Sequence, residues 1–333
     1  MSFQGKSILV TGGTGSFGKQ FIETVLTKHN PRRVIVFSRD ELKQFEMQQE
    51  KRFQHEAIRF FIGDVRDRDR LRQAFHDVDV VIHGAALKQV PACEYNPFEA
   101  VKTNVLGAQN IIDTAIEQGV ERVIALSTDK ACNPVNLYGA TKLCSDKLFT
   151  SAHAYVGVRP TKFAVVRYGN VVGSRGSVIP MFIKLRATGK LPITHVDMTR
   201  FWITLPQAVD FVLTCLTRMR GGELFVPKIP SMKLLDLARA IGPDCEHEII
   251  GIRPGEKLHE AMISEDDTPH TVEYDDSFVI LPFLPFVPGS APPGFERTGK
   301  PVALDFRYSS DTNTQWLGAD DLREMLKPFQ KAV

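Results

Sequence analysis

The stretch Gly12-Gly13-Thr14-Gly15-Ser16-Phe17-Gly18 limits what this chain can fold into more than any other. It follows the β-branched run Ser7-Ile8-Leu9-Val10-Thr11 and leads into a helix-like stretch over 19–28. Glycines at Gly12-x-x-Gly15-x-x-Gly18, between a strand and a helix, permit a tight turn and let a pyrophosphate approach backbone N–H groups. A glycine-rich turn is often only a turn, but the flanking strand and helix predict a dinucleotide site with Thr14, Ser16 and Phe17 in its wall.

The alternation continues. A strand over 34–37 ends at Ser38-Arg39-Asp40, and a strand over 58–62 ends at Gly63-Asp64-Val65. After a charged helix (67–76), the strand 78–83 delivers Gly84-Ala85-Ala86, whose small side chains suit backbone passing close to a flat ring system. Lys88 follows, within reach of phosphate or sugar. One long helix over 97–118 carries Asn104, and a strand over 122–126 comes next. The fold class is therefore α/β, a doubly wound parallel Rossmann sheet, whose ligands sit at the carboxyl ends of the strands. At the tip of the second strand an acidic residue selects a free ribose, whereas Ser38 and Arg39 favour a 2'-phosphate and hence NADP. Asp40 reads as the N-cap of the next helix, and Lys43 as a phosphate contact or a solvated surface residue.

Chemistry is concentrated in Ser127-Thr128-Asp129-Lys130 and Tyr138-Gly139-Ala140-Thr141-Lys142. Tyr138 and Lys142 are four apart, so on a helix they share a face. A free phenol titrates near ~10, and a fixed cation one turn away lowers that value enough for Tyr138 to take a proton from a sugar hydroxyl. An ordinary helix carrying one Tyr and one Lys would look the same. The context of the strand tip decides for chemistry.

Composition excludes several alternatives. The formal charge of +2 lacks the basic excess of a nucleic-acid or membrane-surface binder. Five cysteines without a C-x-x-C pair argue for reduced thiols rather than a disulfide framework or a zinc site. His259-Glu260 lacks the second histidine of a zinc helix, so no metal is assigned, and His83, beside an apolar strand, reads as structural. No signal pattern opens the chain and no 18-residue apolar span occurs, which gives the expectation of a soluble, cytoplasmic protein.

From Gly12 to about Glu260 the chain resembles the extended short-chain dehydrogenases/reductases that modify nucleotide sugars. The resemblance rests on the glycine turn, Asp64-Val65, Ala85-Ala86, Asn104, Tyr138-x-x-x-Lys142, Arg167-Tyr168-Gly169-Asn170-Val171 and Arg253-Pro254-Gly255-Glu256-Lys257. Within that family, Asp129-Lys130, 38–43 and Met198-Thr199-Arg200-Phe201-Trp202 are similar to the inverting 4,6-dehydratases of UDP-N-acetylglucosamine that open pseudaminic acid biosynthesis and so serve flagellin glycosylation.

The resemblance implies a tightly bound NADP recycled in each turnover. Gly12, Gly15, Gly18, Asp64, Val65, Ala85, Ala86, Asn104 and Val171 would contact it. Lys88, Thr128, Asn170, Arg175, Gly176, Ser177 and Val178 would lie along the UDP-sugar. Arg200 and Arg253 are expected at the diphosphate, with Glu256 at the uridine end. Tyr138 would deprotonate the C4 hydroxyl. Lys130, its pKa brought from ~10.4 toward 7 or 8 by burial or neighbouring cations, would take the C5 proton. Asp129 would protonate the departing C6 hydroxyl. Residues 1–173 with about 203–222 would form the NADP domain, and 174–202 with 223–333 an interleaved α/β substrate-binding domain. Nothing is carried over to 264–299. Relatives pair through helices here at 97–118 and 138–155, so a homo-oligomer, dimer or larger ring, is expected. The rivals are a retaining 4,6-dehydratase, a UDP-hexose 4-epimerase and a non-catalytic NADP-binding regulator.

Overall fold

A computed structural model describes residues 3–174, 176–283 and 298–330. Six parallel strands, β1 (Ser7–Thr11), β2 (Arg33–Ser38), β3 (Ile58–Ile62), β4 (Val80–His83), β5 (Arg122–Thr128) and β6 (Lys162–Tyr168), lie in the order β3-β2-β1-β4-β5-β6. Helices cover both faces, so β1 and β4 are buried at every residue. That is why they read as continuous β-branched runs rather than as alternating ones. The chain reverses direction across the sheet at β1, between β2 and β4, and opens a crevice at the carboxyl ends of those strands. The expected doubly wound sheet is present.

Four strands from the stretch expected to build the smaller domain extend this sheet instead. Leu224–Pro227 pairs parallel to β6, and Ser277–Ile280, Thr271–Glu273 and Lys300–Pro301 add antiparallel strands beyond it. Leu224–Pro227 is buried throughout, so its apolar side chains serve the large core. In return Asn170–Val171, expected in the large unit, pairs with Thr199–Ile203, which pairs with Ser231–Lys233. A second core gathers Ile179, Phe182, Trp202, Leu237, Ile241 and Leu322 from helices Val178–Leu185, Leu234–Ile241 and Ala319–Gln330 and the strand between.

The helix expected over 97–118 is broken by a π-helical turn, Lys102–Leu106, between Pro97–Val101 and Gly107–Gln118. The wider turn sits at Asn104, a residue type that favours side-chain bonding to nearby backbone. Among the described residues no helix is long and apolar enough to cross a membrane.

Candidate active site

The glycine turn is built for a close backbone approach. Gly12 has φ of +67°, and a Cβ there would stand 3.0 Å from Ala85 N and from Gly84 C. At Gly18 a Cβ would come within 2.6 Å of Gly13 Cα, so only glycine lets the helix Ser16–Lys28 start against its own turn. The first N–H groups of that helix face a cavity of about 950 Å³, whose wall includes Gly12, Thr14, Gly15, Ser16, Phe17 and Gly18.

At the tip of β2, Ser38 Oγ shares a hydrogen bond of 3.1 Å with Thr14 Oγ1 and accepts one from Asp40 N–H at 3.3 Å. Asp40 caps the helix Glu41–Gln49 by accepting from Lys43 N–H at 3.0 Å. Lys43 borders the cavity together with Arg39 and Asp40. Its ammonium lies 2.5 Å from Asp40 Oδ2 and holds that carboxyl below the usual range. The Arg39 side chain is 53% exposed and 3.7 Å from Asp64, which bonds mainly to Arg66 at 2.8 Å. Val65, Ala85, Ala86 and Lys88 also line the cavity.

Asn104, expected at the cofactor, is held one layer behind the cavity wall. It does not border the cavity and is 2% exposed. Its Oδ1 accepts from Leu87 N–H at 2.8 Å, and its Nδ2 donates to Leu87 C=O at 2.9 Å and to Thr141 Oγ1 at 3.0 Å. The amide is consumed in tying the 84–90 loop to the helix that carries Tyr138. His83 is structural as read, hydrogen-bonded at 2.8 Å to Thr11 Oγ1. Burial, aided by Lys142, lowers its pKa to about 3 and keeps it neutral.

Tyr138 and Lys130 are brought together by packing. The helix Leu137–Ser151, N-capped by Asn136, starts against the short turn Asp129–Ala131 that ends β5. A Cβ at Gly139 would collide with Lys130 C=O, so glycine permits the approach. The Tyr138 hydroxyl hydrogen-bonds the Thr128 side chain. Burial pushes this phenol up to about 12, and the cation that pulls it back is Lys130, not the expected Lys142. Burial also lowers Lys142, with Asp146 opposing.

Lys130 departs from expectation in the other direction. Its Nζ lies 3.0 Å from Asp129 Oδ1, 3.4 Å from Glu260 Oε1 and 3.5 Å from Asn170 Oδ1. Burial works to lower its pKa, but the two carboxylates outweigh burial and the net shift is upward, so the amine rests as an ammonium. Asp129, expected at the departing hydroxyl, does not border the cavity. It is 1% exposed, with Oδ1 accepting from Thr128 Oγ1 and Lys130 and Oδ2 buried without a partner.

Glu260 is a site residue that sequence reasoning missed, and Gln89 and Asn136 in the same wall are others. Glu260 borders the cavity, yet the pair His259-Glu260 invited only a test for zinc. The available signal was its place between Arg253-Pro254-Gly255-Glu256-Lys257 and the buried strand Ala261–Ile263.

Of the expected substrate residues, Lys88, Thr128, Tyr138, Asn170, Gly176, Ser177, Val178, Arg200, Arg253 and Glu256 line the cavity, as does Val171, expected at the cofactor, and Arg175 lies outside the described residues. Arg200 is held in the wall by backbone. Its guanidinium donates to the carbonyls of Thr199, Leu258 and Lys257 at 2.7, 3.0 and 2.9 Å and stands 4.0 Å from Glu260. Arg253 is exposed at the mouth and pairs with Glu256 at 2.6 Å. Its loop is docked on the catalytic segment, with Asn136 donating to Gly255 C=O and Lys257 to Cys132 C=O. Ser177 Oγ, Trp202 Nε1, Glu256 Oε2 and Glu260 Oε2, all from wall residues, are buried without hydrogen-bond partners. A native fold carries few such groups, and their clustering marks a surface shaped for a polar ligand.

Comparison with known proteins agrees with the motifs. Residues 8–282 match a family described as polysaccharide biosynthesis protein. The chain is 55% identical over 329 residues to the inverting UDP-N-acetylglucosamine 4,6-dehydratase of Campylobacter jejuni subsp. jejuni serotype O:23/36 (strain 81-176), covering 97% of this chain and 98% of that one. It is also 39% identical over 339 residues to the UDP-glucose 4-epimerase of Rickettsia canadensis (strain McKiel), covering 97% and 96%. Among solved structures, Pen from Bacillus thuringiensis superposes with a TM-score of 0.88 at 39% identity, covering 98% of this chain and all of that one. The chain belongs to the polysaccharide biosynthesis protein family.

Proposed function

We propose that this protein removes water from UDP-N-acetylglucosamine with inversion at C5, the opening step of pseudaminic acid biosynthesis. The observation that carries this is Lys130 beside Tyr138 on the wall of one cavity, in a chain 55% identical to a relative of that name. A C4 epimerase needs no base at C5, so Lys130 favours the dehydratase over the epimerase that the Rickettsia relative would suggest.

A nicotinamide dinucleotide fits the cradle, because Gly12, Thr14, Gly15 and Ser16 line the cavity at the start of the helix Ser16–Lys28, whose first N–H groups have no partner within the helix. Ser38 and the half-exposed Arg39 support NADP, and Asp40, turned to its capping role, does not oppose a 2'-phosphate. When bound, that group accepts hydride from C4, returns it to C6, and brings a positive ring that favours phenolate nearby. Gly12 to Gly18, Ser38, Arg39, Asp64, Val65, Ala85 and Ala86 would hold it. The protein's own residues handle protons. Tyr138 takes the proton of the C4 hydroxyl, and the 4-keto group so formed acidifies C5–H. Lys130 then takes the C5 proton as the C6 hydroxyl, protonated, departs as water, and a solvent proton delivered to the opposite face of C5, balanced by loss of the Tyr138 proton to solvent, inverts that carbon. Asp129 acts through Lys130, holding its ammonium at 3.0 Å.

Phe98 and Leu106, exposed on the outer face of 97–118, support pairing of two copies, which size-exclusion chromatography of the purified chain would check. The test of function is to incubate the purified protein with UDP-N-acetylglucosamine, without added cofactor, in deuterated water. Loss of water by mass spectrometry and an L-arabino 4-keto product by NMR are expected. Retained C5 configuration would make the protein a retaining dehydratase. An unchanged mass would leave epimerase or regulator.

A further inference from the structure

Two carboxylates face the Lys130 ammonium, and only Glu260 also borders the cavity. Its backbone is pinned, with N–H donating to Ser310 Oγ at 3.0 Å and C=O accepting from Ser310 N–H at 2.8 Å. The side chain is 3% exposed, and Oε2 has no hydrogen-bond partner, an arrangement that costs stability unless something uses the oxygen.

The charged groups facing this pair come from every element around it. Asp129 lies behind Lys130, Tyr138 faces from the helix, Arg200 stands 4.0 Å from Glu260 Oε1, and Lys257 stands 3.6 Å from Oε2. His259 is turned away onto Thr199. Arg200 is a permanent cation that donates to three backbone carbonyls, and Lys257, which donates to Cys132 C=O, does not border the cavity, so among the described residues Lys130 is the cation beside Glu260 that both faces the cavity and has a proton to exchange.

A resting ammonium cannot remove a proton from carbon, so the dehydratase reading, on which this inference rests, needs a place for the first proton of Lys130 to go. We propose that Glu260 receives that proton and passes it to the departing C6 hydroxyl. The transfer leaves a free amine and a neutral carboxyl. The amine takes the C5 proton as the C6–O bond breaks, and the carboxyl proton leaves with the hydroxyl as water. Lys130 ends as ammonium and Glu260 as carboxylate, the pair found at rest. No oxidant or further reactant is needed.

The test compares wild type, Glu260→Gln and Glu260→Asp with UDP-N-acetylglucosamine, reading reduction of the bound cofactor by its near-ultraviolet absorbance and water loss by mass spectrometry. Glu260→Gln should still oxidise C4, while dehydration falls about 100-fold or more, the usual worth of a positioned acid or base. Lys130 must then lose its proton to solvent, so the residual rate should climb about tenfold per pH unit where wild type is flat. A Gln variant within about twofold of wild type, or one that loses C4 oxidation and dehydration together, overturns the proposal. Should the Gln variant not fold, Glu260→Asp decides. A lowered rate with the wild-type pH profile supports the carrier, and an unchanged rate refutes it. A wild type that releases no water overturns the dehydratase reading itself, whereas an active wild type matched by Glu260→Gln overturns the proton carrier alone.

Discussion

Replacing Asn104 by alanine separates a residue that holds the site together from one that touches a ligand. Its side chain makes three hydrogen bonds of 2.8 to 3.0 Å, two to the Leu87 backbone and one to Thr141. At about 1 kcal/mol net each, their loss costs roughly 3 kcal/mol, and more if Leu87 N–H is left buried and unpaired. Unfolding entropy of about 2.1 cal/mol/K per residue over 333 residues amounts to ~0.7 kcal/mol/K, so the melting midpoint should fall by about 4 °C. Calorimetry reads that shift. Ala85, Ala86 and Lys88 ride on the released loop, so dinucleotide affinity measured by titration should weaken as well, with no change in preference between NADP and NAD. A variant that melts with wild type yet no longer binds the dinucleotide would refute the clamp and restore Asn104 as a direct contact.

Lys130→Ala should abolish deuterium incorporation at C5 and dehydration while leaving cofactor bound, and full turnover would remove Lys130 from the mechanism. Arg39→Ala should weaken NADP about tenfold or more and leave NAD affinity unchanged, since a charge-assisted contact is worth roughly 1.5–3 kcal/mol, and equal losses for both would refute the 2'-phosphate assignment. His83 has a native pKa lowered from 6.5 to about 3, so its contribution to stability is complete above 6.5 and drains as pH falls toward 3. Only the unfolded chain takes up the proton there, at a slope of up to roughly 1.4 kcal/mol per pH unit. Denaturation of His83→Gln should lose that part of the acid sensitivity, and an identical pH slope in both proteins would refute it.

Where local pattern decides the outcome, the sequence was readable. The positive φ of Gly12 and the contact of Gly18 with Gly13 need glycine for reasons contained within a strand, a turn and a helix start, whereas the approach of Gly84 and Ala85 to Gly12 comes from the neighbouring strand tip. Asp40 was legible as a cap because its partner, Lys43, is three residues away. Tyr138 and Lys130 were legible as neighbours of a strand tip, but not their ionisation. That depends on Glu260, 130 positions downstream of Lys130 in the chain, and on burial that no spacing reports. The backbone partners of Arg200 were illegible for a related reason. An arginine suits a diphosphate and three backbone carbonyls equally well, and only the fold says which it meets. Leu224–Pro227 went to the wrong unit because a four-residue apolar run carries no sign of the sheet it will join.

The strand order has a consequence for biogenesis. β4, β5, β6 and Leu224–Pro227 join the same side of the sheet in the order in which they leave the ribosome, and Ser277–Ile280 then pairs with Leu224–Pro227 and carries the earlier-made Thr271–Glu273 on its far side. Up to Leu224–Pro227 the newest of these strands is therefore an unpaired edge, open to pairing with another nascent chain. Ser277–Ile280 covers the Leu224–Pro227 edge only once residue 280 has emerged. A nascent chain whose emerged part ends between 228 and 270 holds a sheet with that flank open, and chaperone occupancy should persist over that interval.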